Sequence, residues 1–329
     1  MTPLPFFQVD AFAEGPFTGN PAAVMPLDHW LDDQVMQAIA AENNLSETAF
    51  TIPSERDDAD YDLRWFTPAM EVPLCGHATF AAAHILIKGE MIRFATQSGI
   101  LTVSRDGDKL QMSLPAYSLR PGEVAGLLEA LRIDRAETFI GEGAEPAVII
   151  LLPDEAAVRS VRPDFRALAE LNLFLAIVTA PGNEQDIASR VFCPSVGIDE
   201  DPVTGAAHAA LVPFWAERLG RHRFTALQAS KRSGVLDCES SATVSLVVET
   251  GCTFFAPIRF PDRVHCGLRV AHLGTSSVRY EIGVFRNDER LAAARGHFVH
   301  VCCDRATQAP VTMPAALRAA LARLRVPAP

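Results

Sequence analysis

Gly76-His-Ala-Thr-Phe-Ala-Ala-Ala-His-Ile-Leu-Ile-Lys88 and Thr204-Gly-Ala-Ala-His-Ala-Ala-Leu-Val-Pro-Phe-Trp-Ala-Glu-Arg-Leu219 decide the fold of this chain. Each has helical composition and is apolar almost all round in its first turns, so each belongs inside something rather than on a surface. Their openings resemble each other, Gly76-His77-Ala78-Thr79 against Gly205-Ala206-Ala207-His208, and Gly205 lies 129 residues after Gly76. Each also follows a Pro-containing loop with an acidic residue, Glu71-Val-Pro73 and Asp201-Pro202. The pattern predicts a duplicated unit, a β-sheet wrapped round a buried helix. Pro213 is expected to kink the second helix or mark a wide local turn.

The flanking sequence supplies the strands. Phe6–Phe12, Ala22–Met25, Thr48–Pro53, Asp60–Thr67, Phe94–Gln97 and Ile100–Arg105 read as strands, and Asp32–Asn43 as an amphipathic helix. Pro115–Gly122 reads as a crossover linker. The second segment then predicts helices at Glu123–Leu131 and Ala156–Leu171, and strands at Ala147–Leu152, Leu173–Thr179 and Val191–Cys193. After Glu239 the texture changes to long strands, Val264–Leu273, Ser277–Arg286 and Gly296–Asp304, closed by a helix at Pro314–Arg325. The fold class expected is α+β: two pseudo-symmetric lobes, 1–114 and 115–239, each a mainly antiparallel sheet or barrel round a central helix, then a β-rich tail, 240–329.

Composition narrows the function. With 329 residues, 49% of them apolar, the chain can bury more than one core. Forty acidic against twenty-nine basic residues, a net charge of −11, argue against nucleic acid as a partner. No apolar run reaches the roughly 18 residues of a membrane helix, and the N-terminus lacks the pattern of a signal peptide. Seven scattered cysteines without a CxxC pair suggest neither a zinc site nor a disulfide framework. A cytoplasmic protein with reduced thiols is expected. His265, His272, His297 and His300 lie on tail strands without carboxylates at ligand spacing and read as surface or core residues.

Three places combine turn chemistry with ionisable groups. In Asn43-Asn44-Leu45-Ser46-Glu47-Thr48, Glu47 sits between a helix end and an apolar strand, where partial desolvation would raise its pKa toward the range useful for proton transfer. The alternative there is a capping or surface glutamate. In Pro73–Thr79, a glycine at a helix start lets a ligand approach free N–H groups that favour an anion, and His77 can donate a hydrogen bond or carry a proton. Cys75 reads as an acid/base thiol or a packed one. In Asp199–His208, Asp201 or Thr204 either caps the helix or faces the same ligand. Two helix N-termini meeting in one cleft would clamp a small carboxylate.

GPFTGNPAAV (15–24), NNLSETAF (43–50), WFTPAMEVPLCGHATFAAAHIL (65–86) and GIDEDPVTGAAHAAL (197–211) together resemble the PhzF family of isomerases, over about residues 4–239. The resemblance implies the two-domain fold of diaminopimelate epimerase, an active site between the lobes, and proton transfer on a small carboxylate with neither metal nor organic cofactor. It puts Glu47 on the family's proton-shuttling glutamate and His77 and Asp201 on its polar partners. Asn20, Gly76, Ala78, Thr204, Gly205 and Ala206 fall on positions expected to contact substrate. One departure is Ala206, where the family often has serine. The epimerase relatives use two opposed cysteines; only Cys75 matches, which argues against a two-thiol racemase.

The tail, over 254–288 and 296–321, resembles part of a hotdog-fold acyl-CoA thioesterase, without its usual acidic residue and central helix. It is expected to provide β-structure and contact surface rather than a second active site. A homodimer is expected, with the tail covering an open sheet edge in the same chain or across the dimer. Two other functions compete with the isomerase: a binding protein without turnover, and a thioesterase.

Overall fold

The computed structural model describes residues 3–142, 146–241, 243–304 and 307–325. The chain divides into two compact units, Met1–Ser240 and Ser241–Pro329. The first unit contains both helix-centred sheets.

The first sheet is built from β1 (Phe7–Ala11), β2 (Asn20–Pro26), β3 (Glu47–Pro53), β4 (Tyr61–Phe66), β5 (Glu71–Val72), β6 (Met91–Thr96), β7 (Gly99–Asp106) and β8 (Lys109–Met112). Its order is β1-β2-β3-β4-β6-β7-β8, with β5 paired to β4. It curls round α2 (Gly76–Leu86), whose Ala78, Ala81, Ala82 and Ala83 are buried against Val24, Leu63, Trp65 and Phe94. Alanine is what lets strands close on a helix from several sides, because each methyl keeps the separation short. The surface helix α1 (Asp33–Asn43) packs Met36 and Ala40 on the outer face, against Phe50 and Phe66. Asn44 ends α1 in the left-handed conformation (φ 50°), and β3 begins three residues later at Glu47.

The second sheet repeats the plan. Its strands are β9 (Ser118–Pro121), β10 (Glu137–Glu142), β11 (Ala147–Leu151), β12 (Leu175–Pro181), β13 (Ile187–Cys193), β14 (Ile198–Asp201), β15 (Arg223–Gln228) and β16 (Gly234–Glu239). The order is β16-β15-β13-β12-β11-β10-β9, with β14 paired to β13. It wraps α6 (Gly205–Leu219), whose Ala207, Ala210, Leu211, Phe214 and Trp215 fill the core. Outside lie α3 (Leu127–Leu131), α4 (Glu155–Ser160) and α5 (Phe165–Glu170) over Ile150, Val178 and Phe192.

Several expectations need correction. Ala156–Leu171 is not one helix: α4 stops at Ser160 and α5 starts at Phe165, because Pro163 has no N–H to give and pushes Arg162 out of the helical region. Asp154 and Asp164 cap the two pieces. Pro115–Gly122 is more than a linker, since it contains β9. Of the two outcomes expected at Pro213 the wide local turn does not form, since α6 runs on through it. Proline frees the carbonyl four residues back, that of Ala209, and the Tyr117 N–H takes it at 3.3 Å. Strands β10, β14, β15 and β16 were not legible in the sequence.

The duplication is more exact than the sequence indicated. β2 and β3 run parallel with Ala22 opposite Glu47, and β11 and β12 run parallel with Ala147 opposite Leu175. Phe66 faces Glu71 and Trp65 faces Val72; likewise Phe192 faces Glu200 and Val191 faces Asp201. Arg64 grips Glu71 through Nε and Nη2, and Arg190 grips Glu200 in the same way. Both guanidinium groups lie over the neighbouring phenylalanine ring, at 5.2 Å for Phe66 and 4.9 Å for Phe192. The true counterpart of Glu71 is therefore Glu200, and Asp201 corresponds to Val72.

Gly19 closes the turn before β2. Its φ is +75°, and a Cβ there would lie 2.3 Å from the Ala11 carbonyl oxygen and 2.8 Å from the Ala13 nitrogen. Its N–H donates to the Ser233 carbonyl, and its own carbonyl accepts from Arg232 Nε, so the turn is held by the second sheet's side of the unit. Gly19→Ala is expected to cost about 2 kcal/mol or more, from left-handed strain and a backbone clash. Trp30, Trp65 and Trp215, the chain's three tryptophans, all lie in the first unit, so thermal unfolding followed by their fluorescence checks it.

The second unit is one antiparallel sheet of β17 (Thr243–Phe254), β18 (Val264–Leu273), β19 (Ser277–Arg286) and β20 (Ala292–Asp304), ordered β17-β20-β19-β18. Helix α7 (Ala315–Arg323) brings Leu321 onto Val270 and Val278, with Cys302 and Met313. The other face carries ion pairs, Glu281 with Arg269 and Arg295, and Glu249 with Arg279. His297 sits 2.8 Å from Glu249, and His300 packs edge-on against Tyr280. No helix among the described residues is long and apolar enough to cross a membrane.

Candidate active site

The N-termini of α2 and α6 meet at glycine. A Cβ on Gly76 would touch Gly205 Cα at 3.4 Å, and the reverse distance is the same. A side chain on both would drive the helices apart. The helices α1, α4 and α5 are each capped by an aspartate, whereas neither Cys75 nor Thr204 caps its helix with its side chain. The free N–H groups of both first turns are thus turned to one place.

That place is a cavity of about 60 Å³ in the first unit. Six pairs of residues related by the duplication line it: Glu47 and Leu175, Thr67 and Cys193, Val72 and Asp201, Cys75 and Thr204, Gly76 and Gly205, His77 and Ala206. The cavity therefore sits on the pseudo-twofold axis, but its chemistry is one-sided. Glu47, Cys75 and His77 come from the first lobe. Leu175 and Ala206 stand opposite, extended by Phe174, Val196 and Ile198 into an apolar wall. The second lobe contributes Asp201 and Thr204.

A buried hydrogen-bond chain holds these groups. Asn20 Nδ2 donates to Asp201 Oδ1 at 2.9 Å and to the Val203 carbonyl at 2.8 Å, and lies 3.2 Å from His77 Nδ1. Nε2 lies 3.2 Å from Glu47 Oε2, a carboxylate oxygen that can only accept, which favours the neutral imidazole with its proton on Nε2. Cys75 Sγ approaches the same Nδ1 at 3.5 Å. The Thr204 hydroxyl donates to Asp201 Oδ2. Gln228, fully buried, accepts from the Thr204 N–H and donates to the Asp201 carbonyl. Nothing in the sequence singled out Gln228, because a lone glutamine in a strand carries no motif.

The structure brings Glu47, Gly76, His77, Asp201, Thr204, Gly205 and Ala206 to the cavity wall. It does not bring Asn20 or Ala78 there. Asn20 lies behind the wall as a tie between the lobes, and the Ala78 side chain is in the first lobe's core. Position, not residue type, decides this: Ala78 is one residue too far round α2. Thr67, Leu175 and Cys193 were missed because they face the cavity only through sheet register.

Burial sets the charge states. Desolvation lowers His77 to about 3 and His208 to about 4, so both are neutral at pH 7. Desolvation raises Asp201 to about 6, against the hydrogen bonds from Thr204 and Asn20 that favour its carboxylate. Unfolding near pH 5 therefore takes up two protons at the histidines and releases one at Asp201. More protons are bound in the unfolded state, so stability is expected to fall on acidification between pH 6.5 and about 4. His208 donates from Nδ1 to the Thr204 carbonyl, a bond glutamine can imitate. His208→Gln is expected to remove one proton from this slope, read from urea midpoints by tryptophan fluorescence between pH 4.5 and 7.5.

Two curled sheets round central helices, with one cleft between their helix N-termini, define an epimerase-like protein. The phenazine biosynthesis-like protein family (PhzC-PhzF) matches residues 9–250, and the chain belongs to that family of isomerases. An uncharacterized isomerase of Pseudomonas aeruginosa is 50% identical over 242 residues, 72% of this chain and 91% of that protein. The crystal structure of a PhzF-family protein from Enterococcus faecalis has 42% identity and a TM-score of 0.64, covering 72% of this chain and 92% of its own. A predicted epimerase of Pseudomonas aeruginosa, 23% identical with a TM-score of 0.57 over 70% of this chain and 90% of its own, shares the fold. The thioesterase-like superfamily matches residues 203–321. That match reaches further back than the tail resemblance from 254, into α6, β15 and β16, which the structure builds into the first unit.

Proposed function

We propose that the cleft isomerises a small carboxylate by moving a proton, with Glu47 as the acid/base group and no help from a second base across the cavity. The observation that carries this reading is the one-sidedness of the pseudo-symmetric lining: the counterpart of Glu47 is Leu175, and that of His77 is Ala206. A carboxylate seated at the two helix N-termini has its charge met by backbone N–H groups. Its body lies along the apolar wall of Phe174, Val196 and Ile198. Glu47 takes a proton from an activated carbon, leaving the negative charge on the substrate, and returns it to another carbon on the same face, while His77, from Nε2–H, steadies the Glu47 carboxylate before the first transfer and after the second. Asp201, held by Asn20 and Thr204, keeps His77 and the α6 terminus in register.

A thioesterase reading is less favoured, because α6, which the thioesterase-like match includes, is committed to the second lobe's core. The test is a labelled proton. A small unsaturated carboxylate deuterated at the carbon that is deprotonated, offered to the full chain in ordinary water, should keep part of its deuterium at the new position. Complete loss of label to solvent with inversion at a carbon would refute a single base.

A further inference from the structure

We propose that the apolar face of the tail's sheet is a docking surface for the same face of a second copy of this chain. Strand register sorts the residues of the sheet by face. Phe254, Ala294, Val284 and Cys266 form one cross-strand row, and Cys252, Gly296, Ile282 and Leu268 form the next on the same face. Two further rows run through Phe298 with Tyr280 and through His300 with Val278, and none of the four rows holds an Asp, Glu, Lys or Arg. The charged side chains stand in the rows between, which face the other way: Arg269 with Glu281, then Arg295, Arg279 and Glu249. Successive side chains of a strand alternate between the two faces, so one face has been kept free of charge along all four strands.

Such a face is made for burial, and this chain buries only one end of it. α7 covers Val270, Val278 and Cys302. Beyond its reach Leu268 is 53% exposed and Phe254 79% exposed, and Cys252 and Cys266 are exposed beside them. With Val247 and Phe298 the uncovered part presents roughly 800 Å² of accessible surface, one partner's share of a standard interface. A single exposed apolar residue is ordinary on a surface, but an uncharged patch of this extent is not. Charge and shape select the occupant. An acidic or basic partner would lose its hydration against this face and find no counter-charge. A second copy brings an equal area that is equally free of charge, and two sheets stack face to face about 10 Å apart. The pairing is isologous, closes at two copies and leaves both ion-paired faces in water.

Sedimentation velocity of the full chain tests this pairing. Mass should rise as the protein is concentrated, and Leu268→Glu should halve the mass of the assembly, because each copy would bury a carboxylate without a partner. Phe254→Glu should do the same. Thr253→Glu, opposite Arg295 on the ion-paired face, should leave the assembly whole. Thiol labelling reads the native chain directly. Cys252 and Cys266 are the exposed two of its seven cysteines, and their alkylation, followed by mass spectrometry, should slow as the protein is concentrated. In Leu268→Glu the rate should stay constant. A mass unchanged by both glutamates on the apolar face, a mass halved by Thr253→Glu as well, or labelling of both thiols that ignores concentration overturns the proposal. So does a chain that stays monomeric and sediments with phosphatidylcholine vesicles until Leu268→Glu abolishes it, which would give the face to a lipid surface.

Discussion

Glu47→Gln is expected to slow deuterium uptake from heavy water into any accepted carboxylate by about 10²–10⁴-fold, the contribution of a positioned acid/base group. Glutamine keeps the length and the planar end of the side chain, and its amide oxygen can still face His77 Nε2–H, 3.2 Å away in the native protein. It cannot take up a proton. Ligand affinity should therefore stay within about tenfold, because the helix N-termini and the apolar wall are untouched. The measurement is proton exchange by NMR beside a binding titration with the same compound. Undiminished exchange would remove Glu47 as the base and leave Cys75 as the nearest candidate. Loss of binding together with exchange would mean that the carboxylate of Glu47 holds the site's shape instead.

Arg190→Met is expected to cost about 3–5 kcal/mol of stability, the penalty for stripping a buried charge of its partner. Arg190 donates from Nε and Nη2 to Glu200 at 2.7 and 2.9 Å, and from Nη1 to the carbonyls of Val158 and Val161. Methionine fills much of the volume but leaves one carboxylate and two carbonyls without these bonds. In a unit of this size the midpoint of thermal unfolding should drop on the order of 10 °C. Glu200 precedes Asp201 on β14, so exchange activity should fall as well. The double variant Arg190→Met/Glu200→Leu should recover most of the stability, since the orphaned charge goes with its partner. The equivalent Arg64→Met should cost less: the Arg64 and Glu71 side chains are 21% and 25% exposed, against 10% and 20% for Arg190 and Glu200. Equal losses at the two pairs would show that burial does not set the size of the penalty.

The tail shows where the sequence ran out differently. Its three legible strands, Val264–Leu273, Ser277–Arg286 and the later part of β20, are present as read. β17 falls within the β-rich tail expected from residue 240 but was not delimited as a strand, although it pairs with β20 along most of its length. Its sequence, Thr-Val-Ser-Leu-Val-Val-Glu-Thr-Gly-Cys-Thr-Phe, alternates poorly across a bulge between Val247 and Glu249, so the two-residue period that marks a strand is broken in the middle.

By itself the sequence determined the class of fold and singled out Glu47, His77 and Asp201, which the structure gathers at one cavity. Two alanine-rich helices that cannot rest on a surface force two enclosing sheets, and glycines at both helix starts mark where backbone comes close to backbone. Glu47, His77 and Asp201 were legible because each stands beside a turn or helix start, where local signals are strongest. What only the tertiary structure decided is which residues face one another across the pseudo-twofold axis. Leu175 opposite Glu47, Ala206 opposite His77, and Asp201 in the position of Val72 follow from strand register, and register is set by pairings between segments far apart in the chain. A shift of one residue along a strand turns every side chain to the other face. Asn20 and Gln228 belong to the same category: each is an ordinary polar residue in a strand until the fold buries it and leaves Asp201 and the α6 terminus as its partners.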